Sequence, residues 1–220
     1  MLIISFMGID GSGKTTNAKW LVNWLREHGF KATYIWNRPY SRLAQIMSTF
    51  LMFIFPKKKK HMDSTSDSEV KEIFLKSGIL TAIYKNVILL DFILSLYLRF
   101  FPSFILRKNA VFDRYIYDVV LDLSISLKYS AAQIRELVKT VSRAVPKPQL
   151  AFFLDVPESV AIARKQDIHS LDSLRIRREL YKIISSECNM IVIDGSKSLE
   201  EIQKEISSVI NNFLGRIDQK

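Results

Sequence analysis

The stretch Gly8-Ile9-Asp10-Gly11-Ser12-Gly13-Lys14-Thr15 constrains this chain more than any other feature, because it fits the pattern G-x-x-x-x-G-K-[ST] at every fixed position. Glycines in such a turn let the backbone reverse with positive φ, so that successive amide N–H groups point into one anion-sized hollow. A helix opening from the hollow adds the positive end of its dipole. Lys14 is then placed to reach the outer phosphates of a nucleotide, and the Thr15 hydroxyl to ligate Mg²⁺. The surroundings are the ones the pattern needs. Leu2 to Met7 reads as an apolar strand, and Thr15 to His28 carries Ala18, Leu21, Val22 and Leu25 on a helical period, with Gly29 as its stop. The residues expected on the nucleotide phosphates are Gly8, Asp10, Gly11, Ser12, Gly13, Lys14, Thr15 and Thr16. Neither the guanine-reading Asn-Lys-x-Asp of GTPase switches nor the dinucleotide fingerprint G-x-G-x-x-G occurs.

Beyond this loop, strands and helices alternate. Lys31 to Trp36, Ala110 to Phe112, Leu150 to Leu154 and Met190 to Ile193 read as further strands. Helices are expected over 41–55, 69–84, 87–99, 116–127, 131–145, 157–165, 174–187 and 198–214. Five apolar strands separated by helices imply a three-layer α/β fold, a five-stranded parallel sheet with helices on both faces. No internal repeat and no domain boundary shows, so one domain is expected over all 220 residues. Its one clear break is an exposed basic loop at about 56–68, and a short polar segment follows at about 165–173.

Composition narrows the setting. The 32 basic against 22 acidic residues leave a net charge of +10, which fits an anionic ligand as well as it fits nucleic acid or an acidic membrane surface. Cys188 is the only cysteine, so no intrachain disulfide forms. The N-terminal apolar run is too short for a signal peptide, and a cytoplasmic protein is expected. Val87 to Leu106 has the ~20 residues a bilayer span needs. It contains Asp91, Arg99 and Pro102, however, and a charge at the bilayer centre costs roughly 3 kcal/mol. The expectation is a buried helix of a globular domain. The run Lys57 to Lys60, directly after Phe53-Ile54-Phe55-Pro56, leaves a membrane-surface contact as an alternative.

Three further segments carry a resemblance. Val111-Phe112-Asp113-Arg114-Tyr115 ends the third strand. Leu154-Asp155-Val156-Pro157-Glu158 follows the fourth, with Arg164 one helix later, and Val192-Ile193-Asp194-Gly195-Ser196 follows the last. With the loop, and in this order, they make the chain resemble the thymidylate kinase family over nearly its whole length. The resemblance implies a P-loop fold, ATP as phosphate donor with Mg²⁺, dTMP as the nucleoside monophosphate acceptor, and a homodimer. Nucleic acid is not among the implied partners. It also implies roles. Asp10 would approach the acceptor sugar, Asp113 would join Thr15 at the metal, and Arg114 would bridge donor and acceptor phosphates. Arg164 would open a lid over the transferring group, with Tyr115 on the acceptor side. Lys14, Arg114, Arg164 and one of Arg175, Arg177 or Arg178 would supply the positive charge that phosphoryl transfer requires.

The acceptor side departs from the family's pattern. After strand two the run is Trp36-Asn37-Arg38-Pro39-Tyr40. Arg38 remains a candidate acceptor-phosphate ligand, while Asn37 stands in place of an acidic neighbour. Between Ile79 and Phe100 no aromatic is followed four residues later by arginine, the pair that reads the base in the family. Tyr84, Phe92 or Tyr97, with Lys85 or Arg99, are the substitutes at hand. A different nucleotide, nucleoside or small phosphorylated acceptor is therefore an alternative, and a nucleotide-dependent protein of the membrane surface a further one.

Overall fold

Side chains that alternate across a strand sort this molecule into two cores. The computed structural model describes residues 1–37, 78–165 and 170–217. Its strands are β1 (Ile3–Met7), β2 (Ala32–Trp36), β3 (Asn109–Asp113), β4 (Leu150–Asp155) and β5 (Ile191–Asp194). They form one parallel sheet in the order β2-β3-β1-β4-β5. Ile4, Phe6, Val111, Phe152, Leu154 and Ile193 point to one face. There they meet Ala18, Leu21, Val22 and Leu25 of α1 (Lys14–Glu27) and Ile202, Ile206 and Ile210 of α7 (Leu199–Ile217). Ile3, Met7, Ala110, Phe112 and Phe153 point to the other face. They pack under α2 (Gly78–Ile105), α3 (Ile116–Ser126), α4 (Ala131–Ser142) and α6 (Leu171–Glu187). The short α5 (Glu158–Arg164) follows β4. Sequence periodicity thus gives the layers and all five strands, to within a residue or two at each end.

The order of strands positions the site. Neighbouring strands β1 and β3 send their following helices, α1 and α3, to opposite faces of the sheet. A crevice must open between their carboxyl ends, which is where ligands bind in open α/β sheets. Local signals fix the helices around it. Asp118 at the third position of α3 accepts the Tyr115 N–H at 2.9 Å, and Ser130 with Gln133 closes a capping box on α4. Ser170 caps α6.

The apolar segment departs from expectation in two ways. Its described part is one helix, α2, rather than two helices ending at Arg99. Lys85 and Asn86, the gap between the two expected helices, lie within it, half-buried and exposed respectively, and Pro102 sits one turn from the end, where it removes a single helical bond. Second, only one stripe of it is buried. Leu89, Phe92, Leu96, Phe100 and Ser103 face the sheet, whereas Leu90, Leu94, Leu98, Phe101 and Ile105 are each more than half exposed. Thr81–Ile105 is long and apolar enough to cross a bilayer by length and composition, yet one side of it is core. The loop at 56–68 lies outside the described residues.

Candidate functional site

The turn after β1 is shaped by two glycines that no other residue could replace. Gly8 has φ 148°, and a Cβ there would lie 2.6 Å from the Leu154 carbonyl oxygen. Gly11, at φ 83°, would drive a Cβ into the Ala161 carbonyl. Ser12 N–H closes the turn onto the Ile9 carbonyl at 3.1 Å. Lys14, the first residue of α1, is buried and donates to the carbonyls of Gly8 and Ile9, both at 2.7 Å. Burial and the like charge of Arg114 pull its ammonium down to about 8, with Asp10 opposing them.

At the end of β3 a second group of residues meets this turn. Asp113 is buried, and its Oδ2 accepts from the Thr15 hydroxyl at 2.6 Å and from the Tyr34 hydroxyl at 2.8 Å. Its Oδ1 has no partner among the described residues. Arg114 follows in the left-handed region, φ 76°. This turns its side chain back over the loop, where Nη2 meets Asp10 Oδ1 at 2.5 Å and Nη1 meets Asp118 Oδ1 at 3.3 Å. Burial opposes ionisation of Asp10, but Lys14 and Arg114 together hold its carboxyl below the usual range. Asp10, Gly11, Gly13, Lys14, Thr15, Thr16, Arg114 and Arg164 line one cleft of about 420 Å³, with Trp36 and Lys165 beside them. Arg164 is anchored there by a 2.7 Å bond from Nη1 to the Gly195 carbonyl.

Other expected residues are placed elsewhere. Tyr115 is a core residue: its ring packs edge-on against Phe112 and its hydroxyl donates to the Pro146 carbonyl, so it does not line the cleft. Arg178 forks onto Asp155 at 2.5 and 3.0 Å and also pairs with Glu158, and Arg177 pairs with Asp122 at 2.8 Å. These two arginines fasten α6 to the sheet and α3. On α2, Phe92 is buried in the core, Tyr97 donates to the Ala144 carbonyl and Arg99 to the Trp36 carbonyl. Arg38 and residues 166–169 of the polar segment lie outside the described residues. The sequence reading missed Trp36, Lys165, Tyr34, Asp118 and Tyr181. Asp118 does carry a signal, since it stands four residues after Arg114 on the way into a helix.

Donor sites of this composition suit nucleotide phosphates. The glycine turn and Lys14 line the cleft, and the oxygens of Thr15 and Asp113 are of the hard kind that Mg²⁺ prefers. No cluster of three or more His, Cys, Asp or Glu occurs among the described residues, so any such ion would share its shell with the phosphates. Strand order, turn and flanking Asp-Arg together define a P-loop phosphotransferase.

Comparison with known proteins narrows this class. The family model "Thymidylate kinase" matches residues 6–206. A probable thymidylate kinase of Archaeoglobus fulgidus is 28% identical, covering 97% of this chain and 96% of its own length. A thymidylate kinase of Fervidobacterium nodosum is 25% identical over 97% and 100%, and a probable one of Pyrococcus abyssi 24% over 94% of each. The chain belongs to the thymidylate kinase family, whose members are ATP-dependent phosphotransferases.

Proposed function

We propose that the protein transfers the γ-phosphate of ATP to dTMP, giving dTDP. The observation that carries this reading is the convergence of Lys14, Thr15, Asp10 and Arg114 on one cleft at the β1–β3 crevice, with Asp113 hydrogen-bonded to Thr15. The backbone amides of 8–15 hold the triphosphate, and Lys14 shifts from its loop carbonyls to the β- and γ-oxygens. Thr15 and Asp113 would hold Mg²⁺, which neutralises charge on those oxygens. Asp10 orients the acceptor's sugar. Arg114, between the loop and β3, faces both phosphates and stabilises the charge that develops between them. Arg164 closes the cleft from the β4 side. Arg38 takes the acceptor phosphate. ATP as donor and the free Cys188 thiol go with a cytoplasmic setting.

A second reading has its own support. Phe92, Tyr97 and Arg99, three of the five candidates for reading a base, are engaged by the fold. A site with fewer base readers discriminates less among acceptors, so another phosphorylated acceptor is the competing substrate. ADP release from ATP and magnesium, measured across a panel of nucleoside monophosphates, decides between them. A dTMP kcat/KM no higher than that of dUMP, dCMP or dGMP would sink the first reading.

We also propose a homodimer through α2. Leu90, Leu94, Leu98, Phe101 and Ile105 make one apolar stripe along a helix of 28 residues, about 42 Å long at 1.5 Å per residue. A two-fold contact places the same stripe on both partners and needs no complementary surface elsewhere. The family resemblance supports a second copy as its occupant. Sedimentation should show a dimer; a monomer that floats with anionic liposomes would make a membrane the occupant instead.

A further inference from the structure

We propose that Asp118 and Tyr181 are positioning residues that fix the Arg114 guanidinium over the phosphate loop. The inference rests on the role given to Arg114 above. Asp118 is buried at the start of α3, and each of its oxygens is used. Oδ2 accepts the Tyr115 N–H at 2.9 Å. Oδ1 accepts both the Tyr181 hydroxyl at 2.7 Å and Arg114 Nη1 at 3.3 Å. Tyr181 comes from the middle of α6, is itself buried, and stacks on Phe153 with ring centroids 5.8 Å apart.

Helix capping accounts for only part of this arrangement. The bond back to the N-cap N–H needs one oxygen, which a neutral Gln at this third position also supplies, without the cost of a buried carboxylate. Here the second oxygen turns away from the helix and toward the site. There it receives a phenol that must find an acceptor once buried and the arginine that reaches the cleft. The two carboxylates holding Arg114 also differ. Asp10 is 47% exposed on the cleft side, whereas Asp118 is 1% exposed in the core. Arriving phosphates can displace the Asp10 contact by competing for Nη2. They cannot reach Asp118, which keeps Nη1 as a fixed pivot. Tyr181 holds the carboxylate's own orientation and ties it to α6.

The test uses the full chain with Tyr181→Phe, Arg114→Lys and the double variant, assayed for ADP release. Tyr181→Phe keeps the ring on Phe153 and deletes only the hydroxyl. Its kcat should fall about tenfold, the scale expected when a charge-stabilising group is misplaced. KM for ATP should stay within about twofold, because the loop amides and Lys14 are untouched. In the Arg114→Lys background the same change should cost less than about twofold, since residues acting as a unit are not additive. Asp118→Asn, which can still cap α3, should also lower kcat about tenfold or more. Equal losses from Tyr181→Phe in both backgrounds, or wild-type kcat in Tyr181→Phe or Asp118→Asn, would overturn the positioning role while leaving the assigned function intact. A wild-type kcat in Arg114→Lys would instead remove the role of Arg114 itself, and the inference with it.

Discussion

The donor and acceptor halves of the site are built from different materials. On the donor side, recognition resides in backbone shape: a turn forced by Gly8 and Gly11, closed onto Ile9, with Lys14 and Asp113 locked by short hydrogen bonds. Its requirements are local, so eight consecutive residues specify it. On the proposed acceptor side, the candidate recognition groups are single side chains from α2 and from the segment after β2. Several of these are committed to the fold, Arg99 to the end of β2 and Tyr97 to the segment after α4. Asn37 is buried beside Asp113 with neither amide atom partnered among the described residues. Phosphate, common to every reaction of this class, is gripped rigidly.

The comparison breaks first at Lys14. Lys14→Ala should lower kcat by roughly a thousandfold or more, the scale of losing a preorganised charge at a transferring phosphate. Its melting temperature should change little, because the cost of burying the ammonium offsets its bonds to the loop carbonyls and its contact with Asp10. Activity within tenfold of wild type would mean that the loop is not the donor site. Arg38→Ala should act on the other half. Losing a charged hydrogen bond worth about 2 kcal/mol raises KM for the acceptor roughly thirtyfold, with ATP affinity unchanged. A collapse of ATP affinity in a calorimetric titration would move Arg38 to the donor side.

Legibility followed the same division. The turn and the five strands were readable because each is dictated by short-range sequence or by period-two alternation, whereas a meeting of Asp113 with Thr15 across the sheet was implied only by the family resemblance. Tyr115 was misplaced because adjacency to Arg114 says nothing of direction: the left-handed turn at Arg114 sends one side chain to the cleft and the next into the core. Arg178 gave no warning of its fork onto Asp155, and Tyr181 none of its bond to Asp118, since both contacts join separate elements, α6 to the end of β4 and α6 to α3. On α2 the eye saw one apolar run, whereas the helix divides it into a buried stripe and an exposed one four residues apart. Composition cannot make that distinction.

A pH series sharpens the donor half. Lys14 titrates near 8 in the folded protein against 10.5 for an ordinary lysine. Between these values the unfolded chain binds the extra proton, so this group's contribution to stability rises with pH across the window. Function runs the other way, because a neutral amine no longer attracts phosphate. kcat/KM for ATP should therefore fall above about pH 8, approaching tenfold per unit, while bound triphosphate keeps Lys14 charged and kcat declines later. A flat kcat/KM to pH 9.5 would show that Lys14 stays protonated there and that its burial does not draw its titration down toward 8.

The smallest effect on chemistry is expected from the exposed stripe of α2, and it tests whether the acceptor half depends on a second copy. The double variant Leu94→Glu with Leu98→Glu places two carboxylates in the middle of the stripe, at positions that point away from Leu96 and Phe100. In a two-fold contact each meets its own counterpart region, and like charges there disfavour pairing. Sedimentation should show a monomer, with kcat changed less than about threefold because no residue of the stripe lines the cleft. KM for the acceptor is the discriminating readout. If it rises while KM for ATP does not, the partner steadies the far end of α2, and the looser half of the site is completed by assembly. If both constants hold, α2 serves the interface alone, and selectivity among acceptors must come from the segment after β2.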